Sequence, residues 1–235
     1  MIELNILIFT AIAIAVVHTF IGMDHYIPFI VLSRSNGWPV KKAMAIVLIC
    51  GVGHVLSSIL LGAIGIWLSA EVSFLIDIEN IRGEIATYFL IAFGLVYTAY
   101  GIRQAVKNKT HSHTTRDGGT IVHIHTGNYE EHEHREKDMS KPKNVFWGLF
   151  VIFVMGPCEP LIPILMYPAA THNIFALVSV TICFAFFTIA TMLLMTFLGI
   201  KGIGMLKAGK LERYTHAIAG GVILVCGASL LLLPI

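Results

Sequence analysis

Five ionisable side chains stand where the sequence is otherwise apolar: His18, Asp24 and His25 in "HTFIGMDHYIP", His54 in "CGVGHVLSS", and Glu159 in "GPCEPLIP", next to Cys158. A charged side chain at the centre of a membrane helix costs about 2.5–3.5 kcal/mol on insertion scales, so its presence calls for a chemical reason. Imidazole and carboxylate together form a shell suited to nickel, cobalt or zinc. His18 and His25 are seven residues apart, which puts them on nearly the same helical face but roughly 10 Å apart along an unbroken helix. Either the helix opens at Gly22 and draws them together, or they form successive stations on a pathway. His54, flanked by glycines that permit close packing, reads as a third imidazole or as a hydrogen-bonding group between helices. Glu159 reads as a ligand or a proton acceptor, and Cys158 as a soft ligand or a small buried hydrophobe.

A second histidine group lies in a polar stretch. Residues 108–143 hold six of the chain's eleven histidines as three H-x-H pairs, His111 and His113, His123 and His125, His132 and His134. In an extended segment residues two apart share a face, so each pair is set up to chelate one ion. The stretch reads as a histidine-rich metal-binding loop. It carries six basic and six acidic residues, a balance that excludes a polybasic lipid-binding segment.

The elements that must position these groups follow from composition. Of 235 residues, 56% are hydrophobic and 13% charged, and the mean hydropathy is +0.80, outside the range of a water-soluble domain. Six apolar runs, 5–33, 43–70, 85–102, 144–170, 174–200 and 214–235, are long enough to span a bilayer or nearly so. The first begins "MIELNILIF", without a basic start or a small-residue cleavage site, and reads as a retained span. The four cysteines all lie within apolar runs, which argues against a disulfide framework. Fifteen of the sixteen Lys and Arg residues fall in connections on one side, with Arg82 alone on the other. Both termini are therefore expected outside, with the central loop in the cytoplasm.

Three spans, a loop and three spans predict an all-α membrane protein of two inverted three-helix repeats, residues 1–107 and 144–235, joined by 108–143. "MDHYIPFI" (23–30) aligns with "CEPLIPIL" (158–165), matching Asp24 with Glu159 and Pro28 with Pro163. "IAFG" (91–94) likewise matches "IAGG" (218–221). Proline removes a helical hydrogen bond, so spans 1 and 4 are expected to be broken, and irregular backbone at membrane depth is tolerated only where protein covers it or a polar cavity borders it.

These residues resemble the nickel/cobalt transporter group of the lysine-exporter superfamily, which includes urease-accessory-type and sulfite-exporter-like membrane proteins. His18, Asp24 and His25 read H-x5-D-H, similar to the first-span signature of that group and with the spacing of its urease-accessory-type branch. "GHVLSS" resembles its second-span histidine motif, and the histidine-rich loop resembles that of its efflux members. The resemblance implies a six-helix carrier in a bacterial or archaeal cytoplasmic membrane, moving a divalent nickel or cobalt ion, outward rather than inward. It would bind the ion between spans 1 and 4 through His18, Asp24, His25, His54, Glu159 and Cys158. The partners expected are the bilayer and the transported ion, with a homo-oligomer left open; no resident cofactor, nucleic acid or enzymatic activity is expected. Two alternatives remain. One is a small-anion exporter of the sulfite type, which two acids in the site oppose. The other is a thiol–disulfide electron relay through Cys158, because "GPCEPLIP" also resembles the proline-flanked cysteine motif of the membrane thiol-disulfide proteins of cytochrome biogenesis. The matching stretch of span 1, "IGMDHYIP", has no second cysteine.

Overall fold

A computed structural model describes residues 2–68, 71–107, 110–114, 120–124, 143–156, 158, 160–204 and 209–232. Helix α1 (Ile2–Ile21) ends in a single 3-10 turn (Met23–His25), after which α2 (Ile27–Ser35) continues the chain. Then come α3 (Val40–Trp67) and α4 (Val72–Lys107). Strands β1 (Thr110–Thr114) and β2 (Thr120–Ile124) form an antiparallel hairpin in the central connection, with His111 opposite His123. The second half contains α5 (Lys143–Met155), α6 (Leu161–Ala170), α7 (Ile174–Gly204), a 3-10 segment (Gly209–Tyr214) and α8 (Thr215–Leu232).

Five stretches, Glu3–Ile21, Val40–Trp67, Val72–Val106, Ile174–Gly204 and Glu212–Leu232, are long and apolar enough to cross a membrane, while α5 and α6 are shorter apolar helices. The protein is an all-α membrane protein apart from its loop hairpin. Phe9, Trp67, Phe186 and Val225 are among the large apolar side chains left exposed on its outside, where acyl chains cover them. One expectation changes in kind. The third span was predicted over 85–102, but α4 begins at Val72 and carries Glu79, Asn80, Arg82 and Glu84 within it. Glu79 and Arg82 pair with each other inside the protein, so the hydropathy minimum does not mark the helix end.

Packing is dense because small residues let backbones meet, the usual route to helix association without a hydrophobic driving force. Helix α4 lies along α8, α1 against α7, α3 against α5 and α7, and α2 against α7 and α8. A Cβ on Gly94 would stand 2.6 Å from the Leu224 amide nitrogen, and one on Gly220 would collide with the Thr98 backbone. Two apolar clusters result. Phe29, Leu32, Val47, Leu149, Met192 and Ile223 form one, and Ala11, Ala15, Cys158, Leu161, Val180 and Phe184 the other. At one end Tyr97 ties three helices together: Asn36 Nδ2 donates to its hydroxyl at 2.9 Å, with His216 Nδ1 at 2.8 Å and Ser35 Oγ at 3.1 Å.

The α4–α8 contact gives a paired prediction. Gly220→Ala should push the helices apart and cost about 1–3 kcal/mol, read as a lower thermal midpoint in detergent. Gly221→Ala, whose Cβ would meet nothing within 4 Å, should be neutral or stabilising through the better helix propensity of alanine.

Candidate functional site

The first helix break is local in origin. Gly22 leaves the α region with φ −68° and ψ 86°, Tyr26 follows with φ −137° and ψ −31°, and the turn between them carries Asp24 and His25. Pro28 then falls in the first turn of α2, where its missing N–H removes no helical bond. A Cβ on Gly22 would stand 2.6 Å from His25 Nδ1, so only glycine leaves room for the imidazole to fold back.

This turn brings together groups that an unbroken helix would separate. The rings of His18 and His25 lie 5.0 Å apart between centroids, and those of His25 and His54 lie 5.1 Å apart, both edge to face. Of the two alternatives for His18 and His25, the helix opens. His25 Nδ1 is 3.1 Å from the Gly22 carbonyl and 3.1 Å from Asp24 Oδ1. Both partners are acceptors, so Nδ1 carries the proton. His54 Nδ1 lies 3.2 Å from the Phe153 carbonyl and donates to it, which leaves Nε2 as the basic atom. The Nε2 atoms of His18 and His54 are buried without a hydrogen-bond partner.

The cluster borders a cavity of about 430 Å³, walled also by Asn80, Glu84 and Thr87 of α4 and by Phe153 and Gly156 at the end of α5. Asn80, Gly83, Glu84 and Thr87 were absent from the sequence-based site. Their i, i+3, i+4, i+7 recurrence is the signal that could have found them; by hydropathy alone 71–84 falls between the second and third apolar runs.

The second break lies between Met155 and Leu161. Cys158 is in no helix there and is completely buried. Its amide donates to Ser58 Oγ at 3.1 Å, one helical turn along α3 from His54. Cys158 packs with Ala11 and Ala15 of α1 and is not among the residues lining the cavity. Cys50 belongs to the other apolar cluster. Arg82, expected in the connection between spans 2 and 3, lies within α4 and is packed against protein groups, with Nη1 donating to Glu79 Oε1 at 2.8 Å and Nη2 to Ser57 Oγ at 2.8 Å and the Val154 carbonyl at 3.0 Å.

The proposed ligand Glu159 lies outside the described residues, as do His125, His132 and His134. His111, His113 and His123 are in the hairpin strands. Among the described residues no group of three or more His, Cys, Asp or Glu stands in a geometry that holds one metal ion.

A family model for the cytochrome c biogenesis protein transmembrane region matches residues 21–229, nearly the whole chain. The chain belongs to that family. No curated protein and no solved structure matches it. This finding corrects the expected nickel/cobalt transporter of the lysine-exporter superfamily, and with it the reading as a metal-ion carrier. The reason lies in shared ingredients: a helix broken by glycine and proline next to polar groups is not peculiar to metal carriers. The motif "GPCEPLIP" was the part of the sequence that pointed the right way.

The crowding at Gly22 is testable. Gly22→Ala should displace the His25 ring and change its nitrogen resonances in a histidine-labelled sample, with about 1–3 kcal/mol of destabilisation. Gly156→Ala, whose Cβ would meet its nearest neighbours at 3.4–3.6 Å, should leave both unchanged.

Proposed function

We propose that the chain passes reducing equivalents across a membrane by thiol–disulfide exchange, with Cys158 as its exchanging thiol. The observation that carries this reading is the position of Cys158, at the break between α5 and α6 with its amide held by Ser58, in a chain of the cytochrome c biogenesis family.

Met23 occupies the place in span 1 that matches Cys158, so the exchange runs through one membrane thiol. The Cys158 thiolate attacks a partner's disulfide, forming a mixed disulfide and releasing one partner thiolate. A thiolate of a second, dithiol partner then attacks the Cys158 sulfur; the first partner leaves as a dithiol. The second partner's other thiol closes its own disulfide and frees Cys158. Each step breaks one S–S bond and forms one, and the first partner gains two electrons and two protons from the second. The imidazoles of His18, His25 and His54 and the Asp24 carboxylate are suited to handling the protons on the cavity side. Asp24 and Glu84 on the cavity wall disfavour an anion as cargo.

The architecture proposed for this carrier is six spans in two inverted repeats, α1–α4 and α5–α8, with the breaks of spans 1 and 4 near the membrane midplane. Its support is the packing: exchanging α1 with α5, α2 with α6, α3 with α7 and α4 with α8 turns the α1–α7 contact into α5–α3, and α2–α8 into α6–α4, all of them present. Apart from Arg82, every Lys and Arg lies in 34–42, 103–143 or 201–213, which supports termini outside a cytoplasmic membrane.

The test uses the full chain in liposomes that enclose a redox-sensitive fluorescent protein in its disulfide form, with reduced thioredoxin outside. Reduction of the enclosed reporter is expected with the native chain, and Cys158→Ala should return the rate to that of protein-free liposomes. A partner protein lacking its resolving cysteine should become trapped on Cys158. Undiminished transfer by Cys158→Ala would remove the reading.

A further inference from the structure

In an uninterrupted helix the amide of residue 158 would donate to the carbonyl of residue 154. In this fold the two ends of that bond are taken by side chains of α3 and α4, with the Glu79 carboxylate also reaching the Cys158 amide and the Ser58 hydroxyl. The Cys158 amide is taken by Ser58 Oγ at 3.1 Å, and the Val154 carbonyl by Arg82 Nη2 at 3.0 Å. The two serines of "HVLSS" share the work, because the same Arg82 nitrogen also donates to Ser57 Oγ at 2.8 Å. Glu79 Oε1 accepts from Nη1 at 2.8 Å, and the pair is withdrawn from solvent, with side chains 15% exposed for Arg82 and 2% for Glu79. A guanidinium has five donors in a rigid plane, so it can hold a carboxylate, a hydroxyl and a carbonyl from three different elements at once; a lysine ammonium has neither the span nor the fixed geometry.

We propose that Arg82, fixed by Glu79, is a positioning residue that clamps the broken end of α5 to α3 and α4 and thereby sets access to the Cys158 thiol. Loss of the clamp frees the Val154 carbonyl, and the chain around residue 158, which its prolines keep from closing into helix, then opens and uncovers a thiol that is otherwise completely buried. Neither Arg82 nor Glu79 lines the cavity, so their burial is not explained by contact with a solute there. The role rests on Cys158 as the exchanging thiol only for its consequence; the clamp itself is measurable without any transfer.

The experiment is site-resolved alkylation of the full chain in liposomes with N-ethylmaleimide, quantified by mass spectrometry at Cys158, Cys50 and Cys226. All three are buried, so each reports opening of its own surroundings. Arg82→Met should raise the rate at Cys158 by about tenfold or more while leaving Cys50 and Cys226 unchanged, the signature of local rather than global opening. Glu79→Gln should give a smaller rise at Cys158 alone. Arg82→Lys, which keeps the charge beside Glu79, provides the variant that folds if methionine does not, and should fall between native and Arg82→Met. An unchanged Cys158 rate in these variants, or an equal rise at all three cysteines, would overturn the clamp. A Cys158-selective rise together with full transfer by Cys158→Ala would keep the clamp and discard the thiol relay, so the two failures are distinguishable.

Discussion

A backbone amide or carbonyl without a partner is costly wherever water cannot reach it, and inside a bilayer there is no water to substitute. Breaking a membrane helix therefore creates a demand that the rest of the protein must meet. At the break after α5, the demand is met by Ser58, which accepts from the Cys158 amide, and by Arg82, which donates to the Val154 carbonyl. At the break after α1 it is met partly within the turn, where the His25 amide bonds the Gly22 carbonyl at 3.0 Å and the Gly22 amide bonds the His18 carbonyl at 2.8 Å. The polar groups that look most like a functional site are thus also the groups that make the broken backbone tolerable.

That double role explains why α3 and α4 carry so much of the polarity. Helix α3 brings His54, Ser57 and Ser58 to the second break on one face, spaced by three and four residues. Helix α4 supplies Glu79 and Arg82 to the same break and Asn80, Glu84 and Thr87 to the cavity. Glycines elsewhere on α4 allow α8 to lie close along it. A guanidinium in such a position is paired, hydrogen-bonded and shielded by protein, which is the condition under which a charge is tolerated at membrane depth.

The same ingredients misdirected the functional reading. Two histidines and an acid in eight positions suggest a cation site, and the turn at Gly22 does set His25 between His18 and His54, in ring contact with each. Such a cluster is compatible with several chemistries, since an imidazole whose Nδ1 is engaged leaves Nε2 available to a proton as much as to an ion. Family membership over residues 21–229 sets aside the metal-carrier reading of that cluster. The thiol and the histidine cluster are neighbours through α3, where Ser58 and His54 are one turn apart.

What the sequence determined by itself was the membrane class, the apolar runs and the location of both helix breaks, because these depend on local covalent facts: hydropathy over about 20 residues, proline without an amide hydrogen, glycine without a Cβ. Which side chains close around the breaks was decided only by tertiary structure. From hydropathy Arg82 falls between two apolar runs, and only the start of α4 at Val72 and its packing beside α5 put it inside the protein with Glu79. Partners separated by 72 residues, as Arg82 and Val154 are, leave no local pattern, since their bond exists only when three helices have already docked.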